Sequence, residues 1–258
     1  MGKIKIAFFD IDGTLIDFHA HRPSPKTLAA LARLKANGIA ICLATGRSPL
    51  VLPHFPGIEF DAFLTFNGSY CFDSDRVLFS NPIPQEDIRQ LLKNAAGINR
   101  PVCIATPNRL AANGTDTDLA DYFRIAGLEV EIAKDFDRLL QEKIYQVMMG
   151  CYESEYPSVM NCVHHAKIAA WWDRAVDIIP ADGGKGIAIR KVLEHYHFHR
   201  SEAIAFGDGN NDIEMLQTVG TGVAMENGSA RLKAVADDVC GHVAEDGIYD
   251  YCLEHGLI

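Results

Sequence analysis

The chain lacks several features that would assign it to whole classes of protein. It has seven cysteines but no Cys-x-x-Cys pair, so neither a zinc-binding spacing nor a disulfide framework is indicated. No apolar run approaches the ~20 residues that cross a membrane, and the first residues lack the apolar stretch of a signal peptide. We therefore expect buried free thiols and a cytoplasmic protein with no membrane partner.

Basic residues are also in the minority. Lysine and arginine number 24 against 34 aspartates and glutamates, which gives a formal net charge of -10. Nucleic acids repel such a chain unless a local basic patch dominates, and the sequence contains no obvious patch. We therefore expect no nucleic-acid partner. The 258 residues, of which 48% are hydrophobic, can form one large domain or a core with an insertion.

What the sequence does contain is an apolar run that ends in two acids. Residues Ile4 to Phe9 are apolar apart from Lys5, and Asp10-Ile11-Asp12-Gly13-Thr14 comes directly after them. Desolvating an unpaired carboxylate costs several kcal/mol, so a buried strand with two acids at its end needs a compensating charge. A divalent cation is the expected partner.

Further apolar runs end in similar turns that contain glycine. Near-continuous apolar runs separated by helical segments are typical of parallel strands that are buried on both faces. The carboxyl ends of such strands lie at one edge of the sheet, where ligands bind. The sequence therefore predicts one shared site, formed by the first acidic turn together with Thr45-Gly46-Arg47, Asn67-Gly68 and Gly207-Asp208-Gly209-Asn210-Asn211-Asp212.

The middle of the chain has a different pattern. Its strands alternate more and its helices occur in pairs, which suits an antiparallel sheet with helices on one face. The pattern includes a predicted strand from Leu128 to Ala133 and a predicted helix near Ser154 to His165. We predict an α/β fold with a Rossmann-like parallel-sheet core, residues 1–81 and 181–258, and an inserted α+β cap domain, residues 82–180.

The side chains of the predicted site suit phosphoryl transfer. Oxygen ligands with few protein contacts favour Mg²⁺, while an ammonium, a hydroxyl and backbone N–H groups suit phosphoryl oxygens. A carboxylate nucleophile can divide a slow hydrolysis into two steps, and a second acid can move the protons. The groups in question are the carboxylates of Asp10, Asp12, Asp208 and Asp212, the ammonium of Lys185 and the hydroxyl of Thr45.

In order and spacing, these motifs resemble the four motifs of the haloacid dehalogenase-like phosphatases. The insertion between the second and third motifs resembles the cap of the Cof-type, type IIB subgroup, and the resemblance covers the whole chain. Within the subgroup the chain is most similar to hexose-phosphate phosphatases. The resemblance implies an enzyme that uses Mg²⁺ and an aspartyl-phosphate to hydrolyse small phosphomonoesters, with sugar phosphates as the expected substrates.

The resemblance also implies a role for each residue. Asp10 corresponds to the nucleophile and a metal ligand, and Asp12 to the general acid/base, with its backbone carbonyl on the metal. Asp208 corresponds to the third protein ligand and Asp212 to a support of the metal shell. The groups implied to hold the phosphoryl group or the substrate are Thr45, the Gly46 N–H, Lys185 and Asn211.

Several alternatives remain open at this level. Arg47 either clamps the substrate or caps a helix, and His165, Trp171 and Trp172 either line the roof of the site or belong to the core. The same motifs would serve a phosphomutase, which returns the phosphoryl group to a sugar hydroxyl, or a signalling phosphoacceptor that does not turn over. The oligomeric state is left as a monomer or a weak homo-oligomer.

Overall fold

The computed structural model describes residues 3–20, 22–125, 127–170 and 172–258. Among these residues the helices are α1 (Pro25–Ala36), α2 (Gln85–Gly97), α3 (Thr117–Ile125), α4 (Phe136–Leu139), α5 (Tyr156–Val159), α6 (Lys185–Tyr196), α7 (Ile213–Thr218), α8 (Ala230–Lys233) and α9 (Gly247–Glu254). The strands are β1 (Ile6–Phe9), β2 (Ala40–Ala44), β3 (Ala62–Thr65), β4 (Tyr70–Phe72), β5 (Val77–Ser80), β6 (Cys103–Thr106), β7 (Arg109–Ala112), β8 (Gln146–Gly150), β9 (Ala166–Ala169), β10 (Ala175–Pro180), β11 (Ala203–Gly207), β12 (Thr221–Met225) and β13 (Asp238–Cys240). No helix of the described residues is long and apolar enough to cross a membrane.

The larger sheet has eight strands in the order β13-β12-β11-β1-β2-β3-β4-β5. The strands from β13 to β3 are parallel, and β4 and β5 extend the sheet as antiparallel strands at one edge. Strand β1 is fully buried and lies between two parallel neighbours, with Phe8 opposite Ala205 on β11 and Cys42 on β2. The predicted parallel-sheet core is confirmed.

Helices cover both faces of this sheet. On one face, Leu31 and Leu34 of α1 pack with Phe9, Phe206 and residues of α9. On the other face, residues of α6 and α7 pack against the second side of β1. This burial explains why the core strands are apolar throughout rather than alternating. Helix α1 begins at Ser24, whose Oγ accepts a hydrogen bond from the backbone N–H of Thr27 at 3.0 Å.

The smaller sheet has five strands in the order β7-β6-β8-β10-β9, and every pairing is antiparallel. All of its strands lie between residues 103 and 180. This arrangement agrees with the predicted α+β insertion, so the fold class is confirmed. The domain boundaries at 81/82 and 180/181 stay a prediction, although β5 and β10 end at Ser80 and Pro180, close to them.

The prediction that helices cover only one face of this sheet is wrong. Ile88 of α2 packs with Ile104 on one face, whereas Phe123 of α3 packs with Cys103 and Ala105 on the other. Adjacent residues of β6 therefore contact helices on opposite sides of the sheet, as the alternation of side chains along a strand requires.

Two predicted elements of the insertion are also wrong. The helix expected near Ser154 to His165 is reduced to a 3-10 turn and the four residues of α5. Pro157 sits in the first turn of α5, and Cys162 has a left-handed φ of 57° that a continuing helix does not allow. The segment expected as a strand from residue 128 to residue 133 forms only an isolated bridge between Ile132 and Ala112.

Candidate active site

The first and last acidic turns meet because their strands are neighbours. Asp10 follows β1, Asp208 follows β11, and these parallel strands pair with Phe9 opposite Phe206. The backbone N–H of Asp10 donates to the carbonyl of Phe206 at 3.0 Å. The hydroxyl of Thr14 donates to Oδ1 of Asp208 at 2.9 Å. Residues about 200 positions apart in the chain are thus joined by direct hydrogen bonds.

Gly13 allows the two turns to approach closely. Its φ is +83°, and an added Cβ would lie 2.3 Å from Oδ2 of Asp208. No other residue type fits this position without displacing that carboxylate. The carbonyl of Gly13 also accepts a hydrogen bond at 2.7 Å from Nδ2 of Asn227.

Lys185 neutralises part of the negative charge of the site. It is the first residue of α6, and the residue is only 1% exposed. Its Nζ lies 2.6 Å from Oδ1 of Asp10 and 2.5 Å from Oδ1 of Asp212. The other oxygen of Asp212 accepts hydrogen bonds from the backbone N–H groups of Asp208, at 3.1 Å, and Gly209, at 2.9 Å. Asp212 therefore fixes the turn that carries Asp208.

Three carboxylates, those of Asp10, Asp208 and Asp212, form a group that could hold a metal ion. Each offers one oxygen, and these oxygens lie within 4.8 Å of one another. Burial, against the opposing effect of Lys185, raises the pKa of Asp10 to about 7. Burial and the charges of Asp10 and Asp212 raise the pKa of Asp208 to about 8. A second cation would relieve this repulsion, and an all-oxygen site suits a hard divalent ion.

Arg47 binds the second acid of the first motif. Its Nε lies 2.8 Å from Oδ2 of Asp12 and its Nη2 lies 2.7 Å from Oδ1, a bidentate arrangement. A third donor of Arg47 reaches the carbonyl of Val51 at 3.0 Å. The Asp12 carboxylate is partly exposed, and it is not one of the three that form the metal-binding group among the described residues.

The turn after β2 lines a cavity of about 430 Å³ that also contains Asp10 and Asp208. Thr45 is buried, and its Oγ1 accepts a hydrogen bond at 3.1 Å from the backbone N–H of Arg47. The hydroxyl of Ser48 is buried in the same wall and has no hydrogen-bond partner among the residues that the structure describes.

A network of amides and one carboxylate joins the core to the five-stranded sheet. Nδ2 of Asn67 donates to Oδ2 of Asp177 on β10 at 3.0 Å, and Oδ1 of Asn67 accepts from Asn211 at 3.0 Å. The Tyr122 hydroxyl donates to Oδ1 of Asp177 at 2.6 Å. Burial raises the pKa of Asp177 to about 7. Gln146 completes the network by accepting a weaker hydrogen bond from Asn67 at 3.3 Å.

Sequence reasoning missed some of the residues that line the cavity. Asp177 is the clearest case, because it interrupts the apolar run of β10 just as Asp10 ends that of β1. No comparable pattern in the sequence marks the other cavity residues Ser48, Gln146 and Asn227. Trp172 lines the cavity, whereas Trp171 lies outside the described residues. His165 is not among the residues that line the cavity, and its Nδ1 atom lies 3.4 Å from a carboxylate oxygen of Glu86.

The sequence model of the haloacid dehalogenase-like hydrolases, Hydrolase_3, matches residues 7–252. The chain belongs to this family. The resemblance predicted from the four motifs is therefore confirmed.

Similar proteins place the chain within the haloacid dehalogenase-like family. It is 34% identical over 256 residues to the putative phosphatase YkrA of Bacillus subtilis, with 98% of each chain covered. It is 26% identical to an HMP-PP phosphatase of Escherichia fergusonii, with 98% of this chain and 96% of the relative covered. A solved structure described as the subclass IIB sugar phosphatase BT4131 has a TM-score of 0.89 and 28% identity, and covers 98% of this chain and 100% of its own. The predicted subgroup and enzyme class, a phosphoric monoester hydrolase, are confirmed.

Proposed function

We propose that this chain is a Mg²⁺-dependent phosphatase that hydrolyses small phosphomonoesters, sugar phosphates among them, through an aspartyl-phosphate on Asp10. The observation that carries the proposal is the environment of the Asp10 carboxylate. It lies at the carboxyl edge of the sheet, 2.6 Å from Nζ of Lys185 and in one group with Asp208 and Asp212. A nucleophilic carboxylate needs such positive charge beside it when it attacks an anionic phosphoryl group.

The residues present fit Mg²⁺. We propose Asp10, Asp208 and the backbone carbonyl of Asp12 as its protein ligands, and Asp212 as their support, because both oxygens of Asp212 already accept hydrogen bonds. When bound, Mg²⁺ would neutralise negative charge and orient a phosphoryl oxygen. The raised pKa values of Asp10 and Asp208 support a site that is built for an additional cation.

The reaction would proceed in two steps. In the first, an oxygen of Asp10 forms a bond to phosphorus, the ester P–O bond breaks, and Asp12 in its acid form gives its proton to the leaving alkoxide. In the second, the Asp12 carboxylate takes a proton from water as the water oxygen attacks phosphorus, which releases phosphate and restores Asp10. Proton transfer of this kind contributes about 10²- to 10⁴-fold to the rate. The bidentate contact with Arg47 supports a role for that residue in orienting the Asp12 carboxylate.

The phosphoryl group would be held by the Lys185 ammonium, the Thr45 hydroxyl and the Gly46 N–H. Residues 82–180 would act as the cap that encloses the substrate and excludes bulk water. A cavity of about 430 Å³ favours small substrates. The similarity to a structure described as a sugar phosphatase supports sugar phosphates as the broad class.

The test is phosphate release from a panel of phosphomonoesters with Mg²⁺ and with EDTA. We expect turnover only with Mg²⁺, and none from an Asp10→Asn variant. Asp87→Asn is the matched control, because Asp87 is also a buried aspartate but accepts its hydrogen bonds from the backbone of His164 and His165, away from the cavity. Turnover that survives EDTA, or appreciable activity of Asp10→Asn, would contradict the proposal.

A further inference from the structure

We propose that Asn67 is a positioning residue, whose side-chain amide makes the alignment of the phosphoryl-binding turns depend on contact between residues 82–180 and the core. The amide would hold the turns of Gly46 and Asn211 in their reactive arrangement while Asp177 binds its NH2 group. This inference rests on the proposed phosphatase function and adds a residue to it. Asn67 does not line the active-site cavity of about 430 Å³, so it would act through its neighbours rather than touch the substrate.

The backbone of the core fixes the place of Asn67. Its N–H donates to the carbonyl of Thr45 at 2.9 Å, so the turn after β3 is joined to the turn after β2. Its φ is 52°, in the left-handed region, which asparagine adopts more readily than most residue types do. The residue is only 1% exposed. The side chain therefore starts from a fixed and buried point beside the phosphoryl-binding turn.

The two ends of the Asn67 amide contact different parts of the chain. Nδ2 donates to Oδ2 of Asp177 on β10 at 3.0 Å and to Oε1 of Gln146 on β8 at 3.3 Å, and both strands belong to the five-stranded sheet. Oδ1 accepts a hydrogen bond at 3.0 Å from Nδ2 of Asn211, in the turn that follows Asp208. One amide group therefore joins the five-stranded sheet to the turn that carries the metal-binding carboxylates.

Chemical complementarity gives this amide one orientation. Both oxygens of Asp177 accept hydrogen bonds, one from Asn67 and the other from Tyr122. A flipped Asn67 amide would place its oxygen against that carboxylate and its NH2 group against the NH2 group of Asn211, and both hydrogen bonds would be lost. Without Asp177 beside it, the amide torsion has only broad, nearly two-fold preferences. Contact with the five-stranded sheet therefore selects the orientation that Asn211 requires.

The same amide packs closely against Gly46. A Cβ added to Gly46 would lie 3.2 Å from Nδ2 and 3.3 Å from Oδ1 of Asn67. A change in the position of the amide is therefore transmitted to Gly46, whose N–H we propose as a ligand of the phosphoryl group. A displacement of about 1 Å in such a group can cost about 10²-fold in rate.

The experiment exchanges the donor and the acceptor of the pair. Asn67→Asp removes the NH2 group and places a second carboxylate against Asp177. The double variant Asn67→Asp/Asp177→Asn restores the hydrogen bond with the roles reversed, at the same net charge and nearly the same shape. Asn81→Asp is the matched control, because Nδ2 of Asn81 also donates to an aspartate, Asp182 at 2.9 Å, but neither residue lines the cavity. The values of kcat and KM are measured with Mg²⁺ and p-nitrophenyl phosphate.

We expect Asn67→Asp to lower kcat by about 10- to 100-fold with a smaller change in KM, because the turns are misaligned for the reaction. The double variant should recover kcat to within about fivefold of the unaltered chain, and Asn81→Asp should leave kcat unchanged. A double variant no faster than Asn67→Asp, or an unchanged kcat in Asn67→Asp, would overturn the inference and leave the proposed function standing. No release of phosphate by the unaltered chain would overturn both.

Thermal unfolding checks that each variant folds, because Asn67→Asp brings two buried carboxylates together. If that variant does not fold, Asn67→Gly takes its place, since glycine removes the amide and adopts the same left-handed φ without strain. The same loss of kcat is then expected, and an unchanged kcat would again overturn the inference.

Discussion

Replacing Gly13 with alanine should disable the site by displacing Asp208. The added Cβ would lie 2.3 Å from Oδ2 of Asp208, whereas real contacts of this kind are not shorter than 3.0 Å, so the carboxylate must move by at least about 0.7 Å. Its hydrogen bond from Thr14, 2.9 Å long, would be strained or lost. A shift of about 1 Å in a catalytic group can cost about 10²-fold in rate. We therefore expect Gly13→Ala to lose about 10- to 100-fold in kcat/KM and to require more Mg²⁺.

Gly38→Ala is the matched control for this variant. Gly38 also has a left-handed φ, +77°, but nothing lies within 4 Å of an added Cβ. Both variants should lose about 1–2 kcal/mol of stability from backbone strain, measured by urea unfolding, and Gly38→Ala should keep its activity. If the two variants had the same kcat/KM and the same Mg²⁺ dependence, the close approach of Gly13 and Asp208 would have no role in the reaction.

Two further predictions concern the other charged contacts of the cavity. Arg47→Met should lower kcat by about 10- to 100-fold with a smaller change in KM, because Asp12 loses the group that orients it; a raised KM with kcat unchanged would instead place Arg47 on the substrate. Burial raises the pKa of Asp177 from 3.8 to about 7, so the proton that it holds in the folded state adds stability below pH 3.8 that is lost as the pH rises through about 7. The free energy of unfolding of Asp177→Asn, measured in urea, should therefore rise relative to that of the unaltered chain between about pH 4 and about pH 8, by at most about 4 kcal/mol. A difference that stays constant with pH would show that Asp177 is not a buried, unfavourably charged group.

The strand-end acids could be predicted because their signal is local. One apolar run stops at Asp10 and another stops just before Asp208, so each marks the end of a strand and the start of a polar turn. The rule that parallel strands share one carboxyl edge then brings the two together. No knowledge of side-chain packing is needed for that step.

The contacts of Arg47 and Asp177 could not be predicted in this way. Whether Arg47 binds substrate, a helix end or Asp12 depends on the path of the turn after β2, which no residue pattern specifies. Asp177 carried a local signal, an acid within an apolar strand, but its partner Asn67 lies 110 positions earlier in the core. The side of the five-stranded sheet on which α3 packs is likewise a tertiary property.

The most direct test of the account is whether Asp10 becomes phosphorylated. In an Asp12→Ala variant, the phosphoenzyme should form and break down slowly, because no base deprotonates the attacking water. The measurement is to mix this variant with Mg²⁺ and an aryl phosphate, whose phenolate leaves without a proton from Asp12, then quench in acid, reduce with borohydride and analyse the peptides by mass spectrometry. The account predicts homoserine in place of Asp10. Release of phosphate with Asp10 unmodified in every peptide would contradict it.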